Sequence, residues 1–140
     1  MDKLIFVGLN VQYPISQLIL SGEKSIETRT YPLPSDYVGR EMLLIETPGK
    51  SRKFKARIIA KIIFGQSYKY LSKKDFSEDM GKHRVDSRSP WKWVVGKPKW
   101  AWPIMRVEPL PRSIPAPAKR GIIFTKSISL VGKSSSRSLR

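Results

Sequence analysis

Lys24, Glu27 and Arg29 are the residues of this chain best placed to do chemistry together. They lie in the run Leu18-Ile19-Leu20-Ser21-Gly22-Glu23-Lys24-Ser25-Ile26-Glu27-Thr28-Arg29. A lysine and a carboxylate three residues apart can pair, and shared burial moves both pKa values toward those useful in acid–base work. The guanidinium of Arg29 can fork onto a phosphate or a base edge. The plainer reading is a salt bridge that pins a corner of the fold, and residue type alone favours it.

The elements around the trio must set its geometry. Pro14 can open a short helix, because its missing N–H falls where a helix has no internal partner. Ile15, Leu18 and Ile19 then give one apolar face at helical spacing. Gly22 stands where a helix is closed by a left-handed residue. In the strand that follows, Ser25, Glu27 and Arg29 are expected on one side, with Lys24, Ile26 and Thr28 on the other. Lys24 sits at the turn itself, where its long stem could swing either way.

The rest of the pattern predicts a mainly β chain with short helices, an α+β fold. Strands are expected over Leu4 to Val11, Glu41 to Thr47, Lys53 to Phe64, Trp100 to Leu110 and Ile122 to Ile128. The doublets Ile58-Ile59 and Ile62-Ile63 break the alternation of the longest strand and predict a bulge or bend. Lys53, Lys55, Arg57 and Lys61 could make one face of that strand a wall for backbone phosphates, or simply a solvated face. Ser72 with Asp75 predicts the start of a helix over Lys73 to Met80. Gly81 to Pro90 reads as a loop. It carries the only histidine, His83, expected at the surface as company for phosphate or as a pocket donor. Residues 1–128 are expected to form one domain and 129–140 a flexible basic tail.

Composition narrows the function. The chain has 140 residues, no cysteine and one histidine, which leaves no disulfide framework, no thiolate or multi-histidine metal site and no cysteine nucleophile. No cofactor is expected. No run is long and apolar enough to span a membrane and the start does not read as a signal peptide, so a soluble, cytoplasmic protein is expected. The net charge is +16, unevenly spread. Residues 1–50 hold five basic and six acidic side chains, residues 51–100 fourteen and four, and residues 101–140 eight and one. Such an excess repels itself, and a phosphate polymer relieves the repulsion, so RNA or another nucleic acid is the expected partner.

Four tryptophans form a second constellation. Trp91 and Trp93, and again Trp100 and Trp102, are spaced by two and are expected to share strand faces. Lys92, Lys97 and Lys99 interleave with them, and aromatic faces between cations suit stacked bases and phosphates. Small barrels also use tryptophan as filler. Trp91 or Trp93, in the less regular stretch, is the expected stacking residue rather than Trp102. Tyr31 could close a pocket beside Arg29, or pack under Pro32. Seven of the eleven prolines lie between Pro90 and Pro117, so strands there are expected to be edges or short pieces.

The Gly-x-Lys-x-x-Glu-x-Arg run after a short apolar helix, with Tyr13-Pro14 before it and Tyr31-Pro32 after it, resembles the signature of the ASCH family, related to PUA and EVE/YTH domains. Lys97-Pro98-Lys99-Trp100-Ala101-Trp102, Val107 to Leu110 and Pro115 to Gly121 are similar to the family's closing strand and ending. The resemblance implies a small PUA-like β-barrel acting on RNA or nucleotide-like ligands, with Lys24, Glu27 and Arg29 in its central cleft. Some relatives resemble amidohydrolases that deacylate N4-acetylcytidine, through Gly-x-Lys-x-x-Thr and a later glutamate. Here Glu27 stands in place of that threonine, and only Glu78 or Asp79 is to hand for the later acid. The first expectation is therefore a binding domain, with a nucleoside amidohydrolase using Lys24 and Glu27 as the alternative.

Overall fold

In a computed structural model of the chain, residues 3–49, 53–117, 121 and 123–131 are described. Strand β1 (Lys3–Gln12) leads into helix α1 (Ile15–Ser21) and the short strand β2 (Ile26–Arg29). A single 3-10 turn precedes β3 (Glu41–Thr47) and β4 (Arg57–Phe64). After β5 (Tyr68–Lys69), two short helices follow, α2 (Lys73–Glu78) and α3 (Met80–His83), then the long β6 (Trp100–Pro115) and β7 (Phe124–Val131). Residues 129–131 of the expected tail belong instead to β7, and the rest of it, from residue 132, lies outside the described residues, as do residues 118–120 of the Pro/Gly-rich ending.

All seven strands belong to one sheet, ordered β2-β6-β4-β3-β1-β7, with β5 also on β6. Among the described strands β1 and β3 pair parallel and the other strand pairings are antiparallel, with one isolated parallel bridge between Val38 and Phe64. The sheet curls into a half-barrel because β6 serves two parts of it. Its start, Trp100 to Pro103, pairs with β2, while Ile104 onward pairs with β4. This is the small mainly β barrel with short helices that the sequence implies.

Side chains explain where the sequence reading held and where it moved. The β4 phase break is real: the register shifts between Ile58 and Ala60 and again between Ile63 and Phe64. The strand begins at Arg57, so Lys53 and Lys55 lie in the extended approach to it. β6 runs five residues past Leu110 despite Pro109, Pro111 and Pro115. Beyond Pro103 it has no β2 neighbour, and a proline does little harm where the ladder is open on one side. A three-residue excess on β6 between Pro109 and Ile114 absorbs the rest. Trp91 lies in a turn and Trp93 in irregular chain, neither on a strand. Ser72 caps α2 by accepting from the Asp75 amide at 3.1 Å, as expected, but the loop predicted after Gly81 begins as helix α3.

Two joints hold α1. At its end Gly22 adopts φ +86°, the left-handed cap that a side chain would strain, and donates to the Ile19 carbonyl. At its start the fully buried Glu46 of β3 accepts from Ser16 Oγ at 2.7 Å and Gln17 Nε2 at 2.6 Å. Arg57 of β4 completes this carboxylate's partners at 2.8–2.9 Å, and stacks over Phe54. Ile19 is fully buried in the main core with Leu9, Leu44, Phe64 and Trp102; Ile15 and Leu20 pack at its edge. A second cluster, Ile26, Tyr70, Phe76, Val85 and Ala101, seals α2 and α3 against the other end of β6.

Burial alone would raise the Glu46 pKa, but hydrogen bonds from Gln17, Ser16 and Arg57 hold it below its ordinary value of 4.5. Its contribution to stability is therefore present above pH 4.5 and is lost as pH falls through the depressed value. Glu46→Ala should cost about 3 kcal/mol, since it strands the carboxylate's partners. Denaturant melts at neutral pH test the cost, and a smaller acid sensitivity in the variant tests the linkage.

Candidate functional site

All four residues of β2 pair with the start of β6, and side chains from this strand and from the turn before it face one hollow at the barrel mouth. Lys24 comes from the turn after Gly22, and Glu27 and Arg29 from β2. They line an open pocket of about 570 Å3 together with Tyr31, Trp91 and Lys99. The alternation of the strand set Lys24 opposite Glu27 and Arg29 but left its stem free to swing either way from the turn, and it swings into the same hollow.

Lys24 and Glu27 are almost fully buried. Lys24 Nζ stands 3.6 Å from Glu27 Oε1 and donates to the His83 carbonyl. Arg29 meets the other carboxylate oxygen, with Nη2 at 2.8 Å and Nε at 3.0 Å. The same Nη2 also donates to the Asn10 carbonyl of β1 at 3.2 Å, and the guanidinium lies 5.6 Å from the Trp102 ring centre. Glu27 is thus held from both sides, and the two cations tie β2 to α3 and to β1.

Burial pushes the Lys24 ammonium below its ordinary pKa; Glu27 opposes that shift, while Arg29 and Lys99 add to it. For Arg29, burial works against the charge, but Glu27 and Tyr31 win and the pKa is raised. The trio therefore offers a fixed carboxylate between one permanent cation and one softened amine. Such a group can accept a base N–H, donate to a carbonyl or phosphate, or exchange a proton.

The remaining expected site residues divide. Tyr31 stands edge-on to Trp102 at 5.6 Å, and its carbonyl accepts from the Trp102 indole. Trp91 is exposed at the rim, the stacking position expected of it. Trp93 does not join it; it packs on Phe76 at 5.8 Å in the second cluster. His83 is not a surface residue. It is fully buried at the end of α3, stacked on Phe76 at 4.2 Å, with Nε2 donating to the Phe76 carbonyl and Nδ1 accepting from the Val85 amide. It therefore works through its backbone oxygen, on Lys24. The sequence missed this because the helical turn Met80–His83 has too few residues for a period to show.

The expected basic wall on β4 is not one face. Arg57 is neutralised by Glu46, Lys61 lies 3.8 Å from Glu41, and Lys53 and Lys55 are exposed ahead of the strand. Lys97 is exposed, whereas Lys99, expected beside it on the surface, is buried in the pocket. Neither later acid reaches the site. Asp79 accepts from Tyr68 and Tyr70, each at 2.7 Å, and Glu78 is exposed at the end of α2. Among the described residues no cluster suits a metal ion, and no helix is long and apolar enough to cross a membrane.

No family model and no curated protein matches this chain. Solved structures do. The crystal structure of ASCH from Zymomonas mobilis is 15% identical, with a TM-score of 0.59 over 78% of this chain and 72% of that one. A serine-to-alanine variant of the same protein aligns at 15% identity and a TM-score of 0.62 over 86% of each chain. At this identity the likeness is one of fold, and the ASCH resemblance read in the glycine turn is borne out at that level.

Two outcomes test the site's electrostatics. Glu27→Gln removes the group that raises Lys24, so the lysine should become a stronger nucleophile near pH 8. Amine labelling followed by peptide mapping reads this directly. Burial likewise holds His83 below its ordinary 6.5, so its contribution to stability is full above pH 6.5 and is lost as pH falls through the lowered value. It is the chain's only histidine. Melting points should therefore fall from about pH 7.5 to about pH 5.5, and His83→Gln should flatten that slope.

Proposed function

We propose that this chain is an RNA- or nucleotide-binding protein of ASCH type, which takes a base or nucleotide in the pocket of Lys24, Glu27 and Arg29. One observation carries the reading: three charged side chains share an open hollow of about 570 Å3 with Tyr31 and an exposed tryptophan, Trp91. That volume falls within the range of small-molecule sites. A base laid against Trp91 would gain stacking energy, and its edge would meet Glu27 as acceptor and the cations as donors. Exposed Lys53, Lys55 and Lys97 suit the phosphates of a longer strand. The overall charge of +16 and the structural likeness to the Zymomonas mobilis ASCH protein support the same reading. It needs no cofactor.

The alternative is an amidohydrolase acting on an N4-acetylcytidine-like nucleoside. The lowered pKa of Lys24 beside a carboxylate favours it, because a softened amine can move a proton. Glu27, in place of a hydroxyl, speaks for water rather than a side chain as nucleophile.

Titration of the protein's tryptophan fluorescence with short RNA oligomers and nucleotides decides between these. Affinity should fall by roughly 0.7 log units per neutralised phosphate for each tenfold rise in salt. Lys24→Ala with Glu27→Ala should weaken nucleotide binding about tenfold or more, measured on the folded fraction that circular dichroism reports. A flat salt profile and an unaltered double variant would overturn the proposal. Turnover of N4-acetylcytidine, followed by its ultraviolet spectrum and abolished by Lys24→Ala, would put the hydrolase in its place.

A further inference from the structure

The pocket's cations differ in how they are matched. Arg29 is bonded to Glu27 and to the Asn10 carbonyl, and Lys24 to Glu27 and to the His83 carbonyl. Lys99 has no such match. Only 6% of it is exposed, it lines the pocket, and among the described residues its ammonium has no hydrogen-bond acceptor and no carboxylate within ion-pair range. The charges acting on it are those of other lysines: Lys97 acts on Lys99, and Lys99 in turn acts on Lys24. Its Nζ is not sealed away but opens on the hollow, and a cation that faces a pocket with no counter-charge is matched when a ligand supplies one.

Its position is fixed. The Lys99 carbonyl accepts from the Tyr70 amide at 2.9 Å, and the next residue, Trp100, is paired with both Arg29 of β2 and Lys69 of β5. The backbone from Lys99 onward therefore cannot swing the side chain out of the hollow without breaking these bonds. Among the described residues the pocket has one acid, Glu27, and it is already shared by Lys24 and Arg29.

We infer that Lys99 is an anion seat inside the pocket, and that the ligand class is a phosphorylated nucleotide whose phosphate docks on Lys99 while its base lies toward Trp91 and Glu27. This deepens the nucleotide reading given above and rests on it. It assigns a phosphate to the interior of the pocket, whereas the exposed lysines serve only the phosphates of a longer strand.

The experiment compares the four ribonucleosides, their 5′- and 3′-monophosphates, and inorganic phosphate, titrated against the full chain and Lys99→Gln. A monophosphate should bind about tenfold or more tightly than its nucleoside, and Lys99→Gln should remove that difference while leaving nucleoside affinity unchanged. The ligand-free variant should melt at a higher temperature than the parent, because an unmatched buried charge has gone. Equal affinity for nucleoside and monophosphate, a phosphate preference that survives Lys99→Gln, or a variant that melts lower would each overturn the anion seat and leave the nucleotide pocket standing. Inorganic phosphate binding as tightly as any monophosphate would overturn the nucleotide part. No binding by any of the set would overturn the seat and the reading beneath it together.

Discussion

The mouth of this half-barrel is organised by one carboxylate. Glu27 sits almost fully buried on a four-residue strand, and two cations approach it from opposite sides. Neither cation stops there. Lys24 goes on to the backbone of α3 and Arg29 to the backbone of β1. A strand that pairs with only one neighbour, β6, is thereby fastened to two further elements through side chains. An apolar residue in place of Glu27 would leave two buried cations facing each other, and breaking a buried pair on one side is far more damaging than removing it whole. The pocket and the fold at this end share one electrostatic origin.

Glu46 does a comparable task behind the pocket. It fixes the start of α1 against β3 and β4, and Gly22 fixes the direction in which the chain leaves the helix. Lys24 follows two residues later, with its amide bonded to the Leu18 carbonyl. The placement of one ammonium thus depends on a buried carboxylate at the far end of a seven-residue helix, and on a glycine that can take a positive φ. The helix is too short to be stable alone. Its position comes from these two joints and from Ile19 in the core.

What could be read in the sequence follows from the range of each signal. The glycine stop, the helix before it, the Ser72 cap, the β4 bulge and the trio itself are local patterns with local causes, and all were legible. Long-range pairing was not. Nothing near His83 announces that its ring stacks on Phe76 or that its carbonyl receives Lys24 from 59 residues away. Lys99 and Lys97 look alike in Lys97-Pro98-Lys99, yet one is exposed and the other is inside. The difference arises because Trp100 joins a ladder with β2 and β5 at once, which turns the residue before it into the hollow. The length of β6 was underestimated for a related reason. Prolines forbid a strand only where both edges are paired, and the open edge here is a property of the sheet rather than of the segment.

The identity of residue 27 also bears on what the pocket can do. A hydroxyl at position 27 would leave the nearby lysine without a counter-charge. A carboxylate there neutralises the lysine instead and draws in Arg29 as well, so that both cations are committed to holding a shape. Lys99 stands apart as the cation of the pocket without a carboxylate of its own among the described residues. A pocket preorganised in this way has its polar groups fixed before a ligand arrives, and little side-chain freedom remains to be lost on binding.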